Sequence, residues 1–318
     1  MILPRHDLAA RTWRPPEQGQ AEAGYGDHGR PTARWYDPHT GDLYETMQMV
    51  GYFRTVEHIA RVLNENADAD RYREVQTRLI DKCNRPEFLD REAGLYGGGD
   101  QGCHAQALTL DIVPPELREK VAQRLIGDIV ETRHGHLNTG FGGTVQLLKA
   151  LIERNRSDVA HSILANETPP SLWSMLRHPQ TPQRLTILPE FYTGGMIPHP
   201  GLSTVGFWFY QGLGGISPDP EQPGFQRFII RPRIDPAFTW VEAEYRSVRG
   251  PIVSRWKREG NRLIVDVTVP ANTQALVHVP GENAQMQPPA GSPPSTQTAA
   301  GHTLFTVPGG KYTFESRL

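Results

Sequence analysis

Val205-Gly206-Phe207-Trp208-Phe209-Tyr210, closed by Gly214-Gly215 and followed by Ser217-Pro218-Asp219-Pro220-Glu221-Gln222-Pro223-Gly224, is the stretch on which the fold turns. The apolar run reads as the last of a series of helices. The octet after it cannot continue a helix, because proline lacks the backbone N–H and glycine carries no conformational bias toward one. Beyond it the pattern changes from helical steps to alternation. Arg227-Phe228-Ile229-Ile230, Thr239 to Tyr245, Ile252 to Lys257 and Arg262 to Val269 show the period of two and the β-branched enrichment of strands. Gln274 to Val279 and Leu304 to Val307 supply more, and Glu259-Gly260-Asn261 reads as a hairpin turn. The expectation is an antiparallel β-sandwich over residues 217–318. The Pro- and Ser-rich interval from Gln287 to Ala300 reads as a mobile surface loop within it.

Upstream, Leu43, Met47, Val50, Phe53, Val56, Ala60 and Leu63 fall at steps of three and four, which predicts one helix with all seven on its buried face. A second helix is predicted over Asp70 to Lys82, with Tyr72, Val75, Leu79 and Ile80 inward and Asn84-Arg85-Pro86 ending it. The same grammar repeats: Gly102 to Leu110, Leu117 to Val130 after a Pro114-Pro115-Glu116 start, Thr144 to Glu153, and Ser157 to Ala165. Helices therefore come in pairs, with long Gly-rich loops alternating with short ones. That is the grammar of a ring of helical hairpins with its long loops on one rim. Residues 1–216 read as this helical part, led by a segment of about forty residues without apolar periodicity.

Composition bounds the partners. The chain of 318 residues has 33 Lys+Arg against 35 Asp+Glu, a formal charge of −2, so no basic excess points to nucleic acid. No run approaches the roughly 20 apolar residues of a membrane span, and Met1 to Gln20 has no signal-peptide core, which predicts a cytoplasmic protein with no membrane partner. Cys83 and Cys103 are too few for a disulfide scaffold and read as plain thiols. His134-Gly135-His136 and Cys103-His104 are not followed by further ligands at metal spacing, so neither a metal nor a cofactor is expected. Gly97-Gly98-Gly99-Asp100-Gln101 and Gly140 to Gly143 lack a phosphate-loop context and read as turn glycines.

The junction phrase Pro218-Asp219-Pro220…Gly224-Phe225…Phe228-Ile229-Ile230-Arg231-Pro232 resembles the bacterial α-L-rhamnosidases of glycoside hydrolase family 78. So do Gly135 to Thr144, Val205 to Tyr210, Ser254-Arg255-Trp256-Lys257-Arg258 and Val269-Pro270-Ala271-Asn272-Thr273, which together span nearly all of Tyr25 to Gly281. The resemblance implies a mainly α part, the C-terminal portion of an (α/α)6 six-hairpin toroid, followed by an all-β sandwich domain. It implies hydrolysis of terminal α-L-rhamnosides with inversion, a rhamnose-containing glycoside or oligosaccharide as substrate, and no cofactor. The helices read here fall short of six hairpins, and the Asp/Glu-rich, Trp-containing motif that carries the family's proton donor is not found. The expectation is accordingly a truncated enzyme whose general acid lies elsewhere, with a separate chain carrying the N-terminal barrel helices as a candidate partner.

Inverting hydrolysis needs a carboxylate base opposite a protonated acid. Glu190, in Thr186-Ile187-Leu188-Pro189-Glu190-Phe191-Tyr192, falls where the family has its base, although Pro189 stands in place of the family's Trp. His199, in Ile197-Pro198-His199-Pro200-Gly201, falls where the family has a sugar-contacting histidine. Tyr25-Gly26-Asp27 resembles an aromatic-Gly-Asp-Trp segment that lines the family's sugar pocket, with His28 in place of the Trp. Read without the resemblance, Asp27 in this loop also fits a turn residue bonding its own backbone. Trp35 is a candidate to supply the lost aromatic face, and His136 is a rim candidate for substrate contact. Two other readings compete. One is a non-catalytic carbohydrate-binding or partner-completing remnant, and the other is an (α/α)6 glycosidase acting on another deoxysugar or a uronic acid.

Overall fold

A computed structural model of the chain describes Asp27, Arg30 and residues 38–176, 205–287, 295–299 and 301–318. It divides into two compact units, Met1–Ala150 with Ser162–Thr204, and Leu151–His161 with Val205–Leu318. The first is helical and the second strand-rich.

The helical series runs α1 (Pro38–Val62), α2 (Asn66–Cys83), α3 (Gln101–Thr109), α4 (Arg118–Gly127), α5 (Phe141–Glu153), α6 (Ser157–Ala165) and the short α7 (Leu172–Leu176). A two-stranded ribbon not expected from sequence, β1 (Leu89–Asp90) with β2 (Leu95–Tyr96), lies between α2 and α3. In α1 the side chains of Leu43, Met47, Val50, Phe53 and Ala60 are buried as the periodicity predicts. Val56 is only half-buried and Leu63 is 64% exposed, which corrects the expectation of a single inward stripe of seven. Glu57 explains part of this seam: Arg73 donates to it at 2.5 Å and Gln76 at 2.7 Å, so the α1–α2 hairpin closes on Phe53, Ala60 and a polar clasp. Helix α4 ends in a turn of π-helix, Asp128–Thr132, rather than running straight on to Val130.

Among the described residues, the second unit holds a π-helical turn, Trp208–Leu213, and eight strands: β3 (Ile216–Pro218), β4 (Arg227–Ile230), β5 (Trp240–Ser247), β6 (Gly250–Glu259), β7 (Arg262–Pro280), β8 (Glu282–Gln287), β9 (Ser295–Ala299) and β10 (His302–Arg317). Two strands organise the rest. The first half of β7 pairs antiparallel with β6, its second half pairs with β4, and β10 runs antiparallel along both halves with a register shift between Pro308 and Gly310. Leu263, Val265 and Val267 from one half of β7 share a core with Ala275, Val277 and Val279 from the other, together with Phe228, Trp256, Phe305 and Phe314. These residues of β7 stand at alternate positions, so one face of the strand carries the core along both halves.

Two expectations change. The β4–β7 pair is parallel, so the sheet is antiparallel everywhere except there. Ser295–Ala299, expected in a mobile loop, is a strand pairing with His302–Thr306 of β10, because a partner ladder supplies the backbone bonds that composition alone does not reveal.

Trp256 is 2% exposed and donates its indole N–H to the Leu213 carbonyl at 2.9 Å, anchoring the end of the π-helical turn on the sheet. Trp256→Phe leaves that carbonyl without its donor and is expected to cost about 1–3 kcal/mol, read as a lower urea midpoint at unchanged slope.

Candidate functional site

Helices α3 and α5 both begin in Gly-rich loops, and the first turn of each leaves backbone N–H groups without partners inside the helix. Asp100 caps α3 in the ordinary way, its carboxylate accepting from the Cys103 N–H at 2.8 Å. The residue before α5 is Gly140, which has no side chain to cap with. Asp27 does it instead, from 113 residues away. One of its oxygens accepts the Gly140 N–H at 2.8 Å and the other the Gly143 N–H at 2.7 Å. Its own local turn is therefore not what satisfies it.

Arg30 joins the two caps. Its guanidinium is paired with Asp100, lies 3.8 Å from the Asp27 carboxylate, and donates through Nε to the Asp27 carbonyl at 3.2 Å. The approach is close enough to fix neighbouring residues as glycine. A Cβ on Gly143 or Gly102 would sit against the Asp27 carboxylate oxygens, and one on Gly142 would meet the Tyr44 hydroxyl.

The charges follow from this burial. The Asp27 side chain has no solvent exposure, and desolvation raises its pKa to about 6 even though Arg30 and the two backbone N–H groups pull the other way. The Tyr44 hydroxyl is pushed well up by burial and by Asp27, and it has no hydrogen-bond partner among the described residues. Burial also pushes up the Cys103 thiol and lowers the pKa of His104, whose Nδ1 lies 2.6 Å from the Asp100 carbonyl.

A second set of bonds fixes the loop before α5. The Gln101 amide donates to Asp128 at 2.7 Å and accepts the Asn138 N–H at 2.6 Å, while Arg133 donates to the same Asp128 oxygen at 2.9 Å. His136 has one ring nitrogen 2.7 Å from the Arg133 carbonyl and the other 2.8 Å from the Thr168 hydroxyl. Of the residues singled out from sequence, the structure thus places Asp27 between the α3 and α5 starts and His136 in the loop leading to α5, both with their polar atoms bonded within the chain. Glu190, His199 and Trp35 lie outside the described residues. Sequence reasoning missed Arg30, Gln101 and Asp128. Only the Asp-x-x-Cys spacing at Asp100 carried a local signal, that of an N-cap. Among the described residues, no group of three or more His, Cys, Asp or Glu is arranged to hold a metal ion, and no helix is long and apolar enough to cross a membrane.

The family model of the bacterial α-L-rhamnosidase six-hairpin glycosidase domain matches residues 8–210, and that of the bacterial α-L-rhamnosidase C-terminal domain matches residues 215–291. The chain belongs to the bacterial α-L-rhamnosidase family. An α-L-rhamnosidase of Streptomyces avermitilis is 29% identical over 268 residues, which is 82% of this chain and 25% of that protein. One from an Alteromonas species is 30% identical over 221 residues, 67% of this chain and 24% of that protein. The chain therefore spans about a quarter of the length of these rhamnosidases. The crystal structure of the S. avermitilis α-L-rhamnosidase complexed with L-rhamnose superposes on 92% of this chain and 28% of its own, with a TM-score of 0.78 and 25% identity. A solved structure of the α-L-rhamnosidase from Dictyoglomus thermophilum shares the fold over 93% of this chain and 34% of its own, with a TM-score of 0.81 at 23% identity. The helical part followed by a strand-rich domain is thus the arrangement of the rhamnosidase family.

Because the pKa of Asp27 is raised by folding, the folded chain holds this proton more tightly than the unfolded chain does. Its contribution to stability is fully present below about pH 4, the ordinary aspartate value, and is lost as pH rises through about 6. Asp27→Asn removes the titration. Denaturant melts at a series of pH values are expected to show the parent losing ground to the variant between about pH 4 and 6, and a constant difference above and below that window.

Proposed function

We propose that this chain contributes the base-bearing part of an α-L-rhamnosidase that hydrolyses terminal α-L-rhamnosides with inversion at the anomeric carbon. The observation that carries the reading is the six-hairpin match over residues 8–210, which includes Glu190 and His199. In an inverting site a carboxylate base withdraws a proton from water on one face of the sugar while a carboxylic acid protonates the departing oxygen on the other. Glu190 takes the first role. His199, able to donate and accept at once, and Trp35, through its ring face, bind the sugar. Asp27 and His136 stand at the loops that border the sugar, where Asp27 with Arg30 holds the α5 start and His136 holds the chain at Thr168. The proton donor comes from a segment outside these 318 residues.

A second reading, a partner-completing or carbohydrate-binding remnant without chemistry of its own, is favoured by one observation. Both Asp27 and His136 have their polar atoms engaged by the chain itself. Hydrolysis separates the two. A hybrid in which these 318 residues replace the matching quarter of the S. avermitilis enzyme is expected to release the phenol from an aryl α-L-rhamnoside. Glu190→Gln is expected to lower kcat by about 10²–10⁴-fold at little-changed KM. The first sugar released, read by proton NMR, should be the β anomer. A hybrid that binds L-rhamnose but never hydrolyses supports the remnant, and full activity in Glu190→Gln removes the base assignment.

A further inference from the structure

Between the π-helical turn Trp208–Leu213 and strands β3 and β5, the strand-rich unit opens a cavity of about 480 Å³. Its described lining lies wholly within that unit. The size is that of small-molecule sites, which run roughly 300–1,000 Å³. Phe207, Tyr210, Phe225 and Tyr245 supply four aromatic side chains around it. The Tyr245 ring lies 5.0 Å from that of Phe225 at 33° and 6.4 Å from that of Tyr210 at 75°. The two tyrosines thus meet edge to face and form the sides of a corner instead of closing into a stack. Both remain open to solvent, Tyr210 at 46% and Tyr245 at 39% exposure.

Two features separate this corner from half-covered core. Phe225 holds a left-handed backbone at φ 58°, a conformation that costs a bulky residue energy, and its ring touches those of Phe228 and Tyr245. The other feature is polar. The hydroxyls of Tyr210 and Tyr245 and the amide of Gln211, which also lines the cavity, make no hydrogen bond to any described residue. Donors and acceptors therefore stand uncommitted beside aromatic walls.

That combination selects a ligand. A pyranose has a face of C–H groups, which lies against an aromatic ring, and a rim of hydroxyls, which needs partners that both donate and accept. A purely apolar occupant would bury the three polar groups unpaired. We propose that this cavity binds one pyranose ring of a rhamnose-containing oligosaccharide without acting on it. The C–H face lies on the Tyr210–Tyr245 corner, and the hydroxyls bond Gln211 and the tyrosines. A sugar held here tethers a long substrate to the chain and raises its effective concentration. The choice of a rhamnose-containing sugar rests on the glycosidase reading, whereas the site rests on the corner and its free polar groups.

The test titrates L-rhamnose, and separately phenol, into the 318-residue chain and reads binding by saturation-transfer NMR. His199→Ala is present throughout, so that sugar contact at the proposed reaction site is removed. Gly206 lines the cavity and a Cβ there meets nothing within 4 Å, so Gly206→Leu puts a side chain into open space. Tyr245→Leu removes one wall with its hydroxyl, and serves alone if Gly206→Leu does not fold. Against a parent with matching circular dichroism, Gly206→Leu is expected to weaken L-rhamnose binding by about tenfold or more, and Tyr245→Leu by about three- to tenfold. Unchanged binding in the folded variants overturns the proposal, as does a chain that does not bind L-rhamnose. Binding of phenol without L-rhamnose also overturns it, by making the occupant an aromatic group. Hydrolysis is scored in the hybrid and binding in this chain, so an inactive hybrid beside cavity-dependent binding refutes the activity and supports the sugar site.

Discussion

The helical unit depends on one buried carboxylate. Asp27 offers its two oxygens to the N–H groups of Gly140 and Gly143, and so supplies to α5 the cap that a glycine at its start cannot. A charge buried this deeply is costly unless it is paired and bonded, and here it meets two backbone donors, a helix N-terminus and the Arg30 guanidinium. Arg30 extends the arrangement to Asp100 and through it to the first turn of α3. Two helix starts separated by some forty residues are thereby tied to a segment far upstream of both. The small residues around the cluster follow from it: Gly102 and Gly143 leave room for the carboxylate, and Gly142 leaves room for Tyr44.

The strand-rich unit solves a different problem with two long strands. By pairing along their whole length, β7 and β10 put alternate residues from both of their halves into one core, and the shorter strands add edges to this pair. On the second half of β7, β4 is added in parallel, and β4 in turn pairs antiparallel with β3.

Much of this was legible from local pattern. Ser157–Ala165 and Arg227–Ile230 are a helix and a strand with the bounds that their periodicity predicts, because each is decided by its own apolar residues and its own punctuation. What failed was whatever depends on distant partners. The periodicity of α1 assigned Val56 and Leu63 inward with Leu43 and Met47, because one apolar face cannot be told from two on a helix whose partners are unknown. Ser295–Ala299 became a strand only because β10 runs beside it. Asp27 was singled out as a substrate-contacting residue or a turn residue, and nothing near it in sequence announces two glycine amides more than a hundred residues on. For the candidate site the sequence named residues and the structure named relations. Arg30 and Gln101 entered only when the helix starts they serve were seen together.

The central claim is that Asp27, Arg30 and Asp100 act as one device holding the starts of α3 and α5. Native-state hydrogen exchange of the Cys103, Gly140 and Gly143 amides in the parent and in Arg30→Met tests it most directly. The account predicts that all three amides are protected in the parent and that Arg30→Met accelerates the three together, while amides in the middle of α2 keep their rates. Fast exchange of Gly140 and Gly143 in the parent, or a variant in which Cys103 alone is affected, would contradict it.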